Sequence, residues 1–243
     1  MRATNWEFKN RAMVFGLIFG LSFCVYFLDP QNSAAALANW MASRAGMDPN
    51  LAARLLFALA TCLLVAAALI RTWASSSLHA TVVYASEVKT ASLVADGPYR
   101  HTRNPLYFGN ILLAIGMGAM MSRPGFFVAV LAMLLFCYRL IFREESDLQA
   151  NQGAQYDLYR KAVPRLWPAL RPGTASAGRR ASWAEGFKAE FWCWGFAISV
   201  AFFAITLNTT AFFIIMAASI AVLWLSTRLI QRKAGAAVSR IPK

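Results

Sequence analysis

Apolar residues are concentrated in six long runs, which short polar and charged segments separate. The runs cover residues 12–28, 51–73, 106–121, 125–142, 191–207 and 211–229. A helix that crosses a bilayer needs about 20 predominantly apolar residues, and these runs reach or approach that length. The pattern therefore predicts an all-α fold, a polytopic membrane helix bundle of about six transmembrane helices.

Turn residues between the runs predict how the helices are connected. Asp48-Pro49-Asn50 supplies a cap and a first-turn proline for the second helix. Ser122-Arg123-Pro124-Gly125 and Asn208-Thr209-Thr210 each predict a tight turn between antiparallel helices, and the Gly-, Ser- and Arg-rich segment 171–181 is typical of a linker. We therefore expect four segments: an N-terminal transmembrane helix with an extracytoplasmic loop (1–47), a membrane core (48–170), a basic cytoplasmic linker (171–190), and a C-terminal transmembrane hairpin with a basic tail (191–243).

The charge distribution predicts the orientation of these helices. Charged residues make up 14% of the chain, against about a quarter in soluble domains. With six membrane helices, all but three of the 24 Lys and Arg residues lie on one side, the exceptions being Arg44, Arg54 and Arg123. The positive-inside rule makes that side cytoplasmic, with both termini there. The formal net charge of +13 then follows from topology and attraction to anionic membrane lipids, so no nucleic acid partner is expected.

The first apolar run permits two further interpretations. Basic residues precede it, as in a signal peptide, but the run is longer than the usual apolar core of 7–15 residues, so we expect a retained helix. Gly16 and Gly20 form a small-xxx-small face that permits a homodimer, although close packing within the same chain is the favoured interpretation. The Ala- and Arg-rich composition indicates a multi-pass protein of a bacterial inner membrane.

Two polar clusters mark the ends of the third and fourth runs. Asn104 precedes Pro105 and is predicted to be the N-cap of the third helix, whose first turn would favour an anion beside Arg103. Glu144 and Glu145 lie where the fourth run ends and favour a cationic partner. A hairpin would bring both clusters together, so a ligand with a carboxylate and an ammonium group would bridge them. The alternative is a helix cap with basic interface anchors and a solvated ion-pair cluster.

Four ordered motifs connect these clusters between residues 91 and 168. They are Gly97-Pro98-Tyr99-Arg100 with Arg103-Asn104-Pro105-Leu106-Tyr107-Phe108-Gly109, then Glu144-Glu145-Ser146-Asp147-Leu148, then Gly153-Ala154-Gln155-Tyr156-Asp157-Leu158-Tyr159, and Val163-Pro164-Arg165 with Pro168. In this order they resemble the integral-membrane S-adenosylmethionine methyltransferases related to isoprenylcysteine carboxyl methyltransferase and phospholipid N-methyltransferases. The core 48–170 is accordingly expected to be methyltransferase-like, with a cytosolic cofactor pocket.

The resemblance also implies a set of site residues for S-adenosylmethionine. The implied cofactor-binding residues are Leu93, Val94, Tyr99, Arg103, Asn104, Pro105, Tyr107 and Glu144. Asn104 is a departure, since eukaryotic members usually have His there; Asn retains hydrogen bonding but cannot supply a titrating imidazole. Gln152 and Gln155 also depart from the Phe and Glu commonly found around the following glycine.

Three residues are predicted to act on the methyl acceptor. An amine acceptor must lose a proton, which Glu145 or water would take. Arg139 and Arg143 lie four residues apart on one helix face and are candidates to hold an anionic head group, the alternative being that they are interfacial anchors. The four Cys lie inside apolar runs without metal-ligand spacing, so no metal site is predicted.

We expect a membrane methyltransferase that acts on a lipid or isoprenoid-type acceptor at the cytoplasmic face. The first alternative is a sterol-reductase-like membrane enzyme that uses NADPH, although the chain has Asn-Pro-Leu-Tyr at 104–107 in place of the Asn-Tyr pair associated with that branch. The second alternative is a non-catalytic membrane scaffold. The sequence does not choose the acceptor among carboxylate, amine and other groups.

Overall fold

The computed structural model describes residues 2–87 and 96–219, together with residues 221, 222 and 225. Within these ranges the regular structure is helical, which confirms the all-α prediction. The helices are α1 (Asn5–Lys9), α2 (Arg11–Cys24), α3 (Ser33–Ala45), α4 (Pro49–Glu87), α5 (Pro105–Gly118), α6 (Arg123–Gln152), α7 (Ala154–Ala162), α8 (Trp183–Thr206) and α9 (Thr209–Ser219), with 3₁₀ turns at Val25–Phe27 and Gly97–Arg100.

Three helices are long and apolar enough to cross a membrane: Pro49–Leu78 of α4, α6 and α8. Three shorter apolar helices, Arg11–Phe27, Pro105–Gly118 and Thr209–Ser219, coincide with the other predicted runs, and the last run continues beyond the described residues. Large apolar side chains remain exposed on the outside of the bundle, among them Leu55, Leu59, Leu131, Leu135 and Ile198. Such a surface suits contact with lipid. The prediction of a membrane-type helix bundle is confirmed.

Helix α5 lies at the centre of the bundle and positions the polar clusters. It packs against α4 on one side and α6 on the other, and most of its residues are buried. Its glycines allow these close contacts, since a Cβ at Gly116 would lie 2.7 Å from Leu64 of α4, and one at Gly118 would meet the ring of Phe126. Small residues at helix interfaces serve this purpose in membranes.

The turn between α5 and α6 follows the predicted hairpin. The Ser122 side chain accepts a hydrogen bond from the Gly125 amide at 3.3 Å, which caps the first turn of α6. Asp48 likewise caps α4 by accepting from the Leu51 amide at 2.8 Å. Local turn and cap residues therefore determine where both long helices begin.

Helix α3 lies in the segment that we predicted to be an extracytoplasmic loop. Its sequence is rich in Ala, the strongest helix former, but lacks a long apolar run. The Asn32 side chain caps its start and Gly46 ends it with a positive φ of 63°. The Ser33 amide donates to the Met121 carbonyl at 2.8 Å, so α3 is held against the α5–α6 turn.

The two ends of the bundle separate the loops as the charge pattern predicts. At one end, the Ala3 amide donates to the Arg139 carbonyl at 3.0 Å, which places the N-terminal segment beside the second half of α6. At the other end, Arg123 pairs with Asp29 at 2.8 Å. The N-terminal segment and the Glu144 region therefore share one end; its cytoplasmic location stays a prediction.

Candidate functional site

The 3₁₀ turn Gly97–Arg100 is packed tightly onto α4. Gly97 has a φ of +57°, and a Cβ there would contact the Ser77 hydroxyl and lie 2.9 Å from Nε1 of Trp73. Both the conformation and the lack of space favour glycine. The turn therefore fixes Tyr99 close to the interior of the bundle.

Tyr107 and Glu144 bring the two predicted clusters together. The Tyr107 hydroxyl donates a 2.8 Å hydrogen bond to Oε1 of Glu144, which joins the first turn of α5 to α6. The hairpin prediction required this meeting. Pro105 is the first residue of α5 and is buried in the same helical turn as Tyr107.

Glu145 is paired with two guanidinium groups. Arg103 Nη2 lies 2.7 Å from Oε1 of Glu145, and Arg165 Nη2 lies 3.0 Å from Oε2. Arg103 also donates to the Arg160 carbonyl at 2.7 Å. Arg103 is thus engaged by Glu145, and the predicted roles of Arg103 in cofactor binding and of Glu145 as a proton acceptor stay predictions.

Asn104 occupies the N-cap position of α5, but its side chain does not cap the helix. No side-chain cap hydrogen bond is formed, and Nδ2 instead donates to the Arg165 carbonyl at 2.9 Å. The backbone of Asn104, with φ −129° and ψ 56°, departs from the extended conformation usual at this position. The capping role predicted for this side chain is therefore wrong, and Asn104 ties the start of α5 to the segment after α7.

Residues 164–178, which we call the strap, are hydrogen-bonded along the 96–104 motif. The Ala169 amide donates to the His101 carbonyl at 2.9 Å, and the Gly173 amide donates to the Arg100 carbonyl at 2.8 Å. Asp96 accepts from the Ser176 hydroxyl at 2.7 Å. The region interpreted as a linker thus covers one side of the motif, and α8 begins at Trp183, before the predicted start of the last hairpin.

A second polar cluster lies where α4, α5 and α8 meet. Arg71 Nε is 2.7 Å from Oε2 of Glu190, and both side chains are nearly buried, 11% and 6% exposed. The Ser75 hydroxyl donates to the other oxygen of Glu190 at 2.6 Å. Arg71 Nη1 donates to the Leu106 carbonyl at 3.1 Å and to Oδ1 of Asn110.

Sequence reasoning missed this cluster because its charged residues are 119 positions apart and Glu190 was placed in the linker. The available signal was the charge of Arg71 inside an apolar run, since ionisable residues in membrane helices are costly and usually functional or paired.

Tyr99 lies within electrostatic range of both clusters. Burial raises the pKa of Tyr99, the carboxylates of Glu144 and Glu190 raise it further, and Arg71 opposes them. The Tyr159 hydroxyl donates to the Tyr99 carbonyl at 2.8 Å. Tyr99 therefore remains a neutral phenol between the two carboxylates at neutral pH.

Arg139 and Arg143 contact the N-terminal segment. Arg139 pairs with Glu7 at 2.8 Å, and this hydrogen bond lowers the pKa of Glu7 from 4.5 to about 2. The Arg143 guanidinium lies 4.8 Å from the ring centroid of Phe8 and donates to the Ala3 carbonyl at 3.3 Å. Their predicted role in holding an acceptor head group stays a prediction.

Two predicted cofactor residues, Leu93 and Val94, lie outside the described residues. A Cβ added at Gly16 or at Gly20 would have nothing within 4 Å, so the favoured close packing within the chain is not observed among the described residues. Within the same ranges, no group of three or more His, Cys, Asp or Glu side chains is placed to hold a metal ion.

Comparison with known proteins places this site in a methyltransferase context. Residues 55–154 match the family model described as phospholipid methyltransferase, which confirms the resemblance to integral-membrane methyltransferases. The match includes Arg71, Tyr99, Tyr107 and Glu144 but ends before Arg165 and α8.

Two curated relatives match part of the chain. The nickel-cobalt-cadmium resistance protein NccN of Alcaligenes xylosoxydans xylosoxydans is 33% identical over 89 residues, 36% of this chain and 41% of the relative. The cobalt-zinc-cadmium resistance protein CzcN of Cupriavidus metallidurans is 33% identical over 92 residues, with the same coverage. The match thus spans less than half the length of either relative. No solved structure matches the chain.

Proposed function

We propose that this chain, part of which matches the phospholipid methyltransferase family, transfers a methyl group from S-adenosylmethionine to a lipophilic acceptor at the cytoplasmic membrane face. One observation carries the proposal. Among the described residues, Glu145 is paired with two arginines, whereas the adjacent Glu144 has only the Tyr107 hydroxyl and no ion-pair partner. Arg11 acts on Glu144 electrostatically but forms no ion pair with it. A partly buried carboxylate without an ion pair is costly, so Glu144 favours a cationic ligand.

The residues around Glu144 fit the cofactor. Its α-ammonium group matches the Glu144 carboxylate, with a charge-assisted hydrogen bond. Its α-carboxylate matches the first turn of α5, where Pro105 and Leu106 begin the helix and amide N–H groups favour an anion. The aromatic rings of Tyr99 and Tyr107 suit a sulfonium cation. Four of the cofactor residues predicted from the resemblance, Tyr99, Pro105, Tyr107 and Glu144, thus support the proposal.

The contribution of the protein to the reaction is mainly positional. When bound, S-adenosylmethionine supplies an activated methyl group on a sulfonium. Methyl transfer is an in-line displacement, so the residues need to orient the reactants rather than form a covalent bond with them. Glu144 and the start of α5 hold one reactant, while the Arg103–Glu145–Arg165 cluster fixes the start of α5 relative to the strap.

The role of Glu145 follows from its partners. Two guanidinium groups pair with its carboxylate, one at each oxygen. Both oxygens are therefore already engaged, so we favour an acceptor that needs no protein base or one whose proton passes to water. The Arg139 side chain pairs with Glu7, and the Arg143 side chain donates to the Ala3 carbonyl. These arginines would therefore reach an acceptor head group only after the N-terminal segment has moved away from them.

Binding of S-adenosylhomocysteine by the purified protein in lipid nanodiscs tests the proposal. Glu144→Gln should weaken binding about 10- to 100-fold, the scale of one charge-assisted hydrogen bond. Asp147→Asn is the matched control, since Asp147 lies on the same helix, is 62% exposed and only approaches Arg143 at 3.8 Å. Absence of binding by the wild type, with tight binding of NADPH instead, would favour the reductase alternative.

A further inference from the structure

The Arg71–Glu190 pair is buried where an ion pair is expensive. It lies between α4, α5 and α8, and its side chains are 11% and 6% exposed. Removing two charges from water costs several kcal/mol per ion, which excellent geometry and further hydrogen bonds must offset. Apolar residues could join α4 to α8 equally well, because replacing a buried ion pair by well-packed apolar residues often costs no stability. The pair is therefore a candidate for a role other than stability.

Within the described residues, Nη2 of Arg71 is the donor group of this pair that has no hydrogen-bond acceptor. Ser75 donates to Oε1 of Glu190, and Arg71 and Cys193 contact Oε2, so both carboxylate oxygens have partners. Arg71 uses Nε and Nη1. No residue in the described part of the chain accepts a hydrogen bond from its Nη2. This nitrogen is not among the fully buried atoms that lack a partner, so it retains access to its surroundings and is open to an oxygen from a ligand.

The guanidinium is held in place by its surroundings. A Cβ at Gly109 would collide with the aliphatic chain of Arg71, so glycine leaves room for it. The Arg71 guanidinium carbon lies 5.0 Å from the Trp192 ring centroid, and the Leu106 carbonyl fixes Nη1. The donor group is therefore preorganised rather than free to rotate.

The position of the pair distinguishes it from the proposed cofactor residues. Leu106 and Asn110 contact Arg71 from one face of α5, whereas Tyr107 meets Glu144 on α6 from another. Tyr99 is in electrostatic range of both clusters.

The net charge of the Arg71–Glu190 pair determines whether the ligand oxygen at Nη2 is charged or neutral. Glu190 already neutralises Arg71, so a second anion would leave one negative charge in excess in the interior. An uncharged carbonyl oxygen avoids this cost and still accepts the N–H bond. Lipophilic molecules carry such an oxygen in an ester or amide group.

We propose that Arg71 binds the acyl carbonyl oxygen of the lipophilic acceptor through Nη2, and that Glu190 is the positioning residue that keeps the site neutral. This assignment rests on the proposed function, because it takes the ligand to be the methyl acceptor. It selects acceptors with an ester or amide next to the head group over purely isoprenoid ones. Arg71 lies inside the family match over residues 55–154, whereas Glu190 and α8 lie outside it, so the subsite joins a residue of the matched region to one from beyond it.

Binding of two matched amphiphiles tests the proposal. The protein is reconstituted in nanodiscs of dialkyl ether lipid, which lacks ester carbonyls, and titrated with 1-palmitoylglycerol and with its ether analogue 1-O-hexadecylglycerol. Fluorescence of Trp192, taken as the difference from Trp192→Phe, reports occupancy beside Arg71. We expect the wild type to bind the acyl form about 10-fold or more tightly than the ether form, as one hydrogen bond from a charged donor implies.

Two variants separate recognition from folding. Arg71→Met/Glu190→Leu removes the pair without leaving a buried charge, so it should fold and bind S-adenosylhomocysteine as the wild type does while losing the acyl preference. Glu190→Gln leaves the guanidinium uncompensated, so its preference should shift to the anionic probe hexadecyl phosphate.

The assignment is overturned if the wild type binds both glycerol probes equally, prefers hexadecyl phosphate, or keeps its acyl preference in the double variant. A parallel loss of S-adenosylhomocysteine affinity in the double variant would assign Arg71 to the cofactor and overturn the acceptor assignment too. The probes require no methyl transfer. An acyl preference in a protein that neither binds the cofactor nor transfers methyl groups would therefore reject the proposed function while retaining the carbonyl site.

Discussion

Glu144 and Glu145 are neighbours in sequence but occupy different electrostatic environments. Side chains of adjacent helical residues point about 100° apart, so Glu144 faces Tyr107 while Glu145 faces Arg103 and Arg165. We therefore propose separate tasks for the two carboxylates, ligand binding for Glu144 and structural support for Glu145. The sequence predicted that the cluster binds a cation, but it could not assign the counter-charges because Arg165 reaches Glu145 from a distant segment.

Loss of the Glu145 charge should destabilise the protein. Glu145→Gln leaves Arg103, only 6% exposed, without its carboxylate partner, and we expect the free energy of unfolding to fall by about 3 kcal/mol. Denaturant unfolding in nanodiscs measures this change. Asp157→Asn, which breaks the exposed pair with Arg160, should cost less than about 1 kcal/mol. Equal costs for the two variants would contradict a structural role for Glu145.

Substitutions at Asn104 distinguish a helix cap from a bridge to the strap. Asn104→Ala removes the donor to the Arg165 carbonyl and should lower the free energy of unfolding by about 1–2 kcal/mol. Asn104→Ser supplies a strong capping side chain but cannot reach that carbonyl, so it should not restore stability. Thermal unfolding of both variants is the measurement, and full rescue by Ser would show that capping matters after all.

At the scale of single elements, α1 is attached to α6 by a carboxylate that responds to pH. The pKa of Glu7 is lowered from 4.5 in the unfolded chain to about 2 by Arg139. A lowered folded-state pKa contributes stability that is complete above about pH 4.5 and is lost as the pH falls toward 2. We expect the hydrogen-exchange protection factors of residues 3–9, which are corrected for the intrinsic pH dependence of exchange, to fall as the pH is lowered through this window. In Glu7→Gln the protection factors should be lower at neutral pH and should lack this transition; a wild type without such a transition would argue against the pair.

The contact between α4 and α5 depends on Gly116. Gly116→Ala places a methyl group 2.7 Å from Leu64 and 3.1 Å from the Ala60 carbonyl, so we expect a loss of about 1–3 kcal/mol in unfolding free energy. Gly20→Ala is the matched control in another apolar helix, where nothing lies within 4 Å, and it should stabilise the helix by up to about 1 kcal/mol. If Gly116→Ala is also stabilising, α4 and α5 are not in close contact.

Most helices could be predicted, whereas the strap could not. Apolar runs predict α2, α4, α5, α6, α8 and α9 because membrane helices need continuous apolar residues. α3 was missed since its signal is helix propensity with a local cap, without a long apolar run. Residues 171–178 of the strap were interpreted as part of a linker because their Gly and Ser residues are typical of loops, whereas residues 164–170 were assigned to the membrane core. The strap's hydrogen bonds to His101 and Arg100 join backbone groups and its bond to Asp96 joins two side chains, and sequence patterns reveal neither kind of contact.

At the scale of the whole molecule, the site is assembled from distant parts of the chain. α4, the 96–104 motif, α5 and α6 belong to the family match, while the strap and α8 add contacts from beyond it. The sequence predicted the first group through its motifs. Glu190 was not predicted because the partner of a buried charge can lie anywhere in the chain, and only the packing of α8 against α4 identifies it. Such an arrangement suits a cofactor chemistry shared with the family, combined with acceptor recognition particular to this chain.

The most direct test of the central claim is transfer of a labelled methyl group from S-adenosylmethionine into lipids extracted from the native membrane. Wild type, Glu144→Gln and Asp147→Asn are compared in the same nanodisc preparation. We predict labelled lipid from wild type and Asp147→Asn, and a rate at least about 10-fold lower from Glu144→Gln, whose ligand has lost its counter-charge. Equal labelling by wild type and Glu144→Gln, or no labelling by any of the three, would contradict the account.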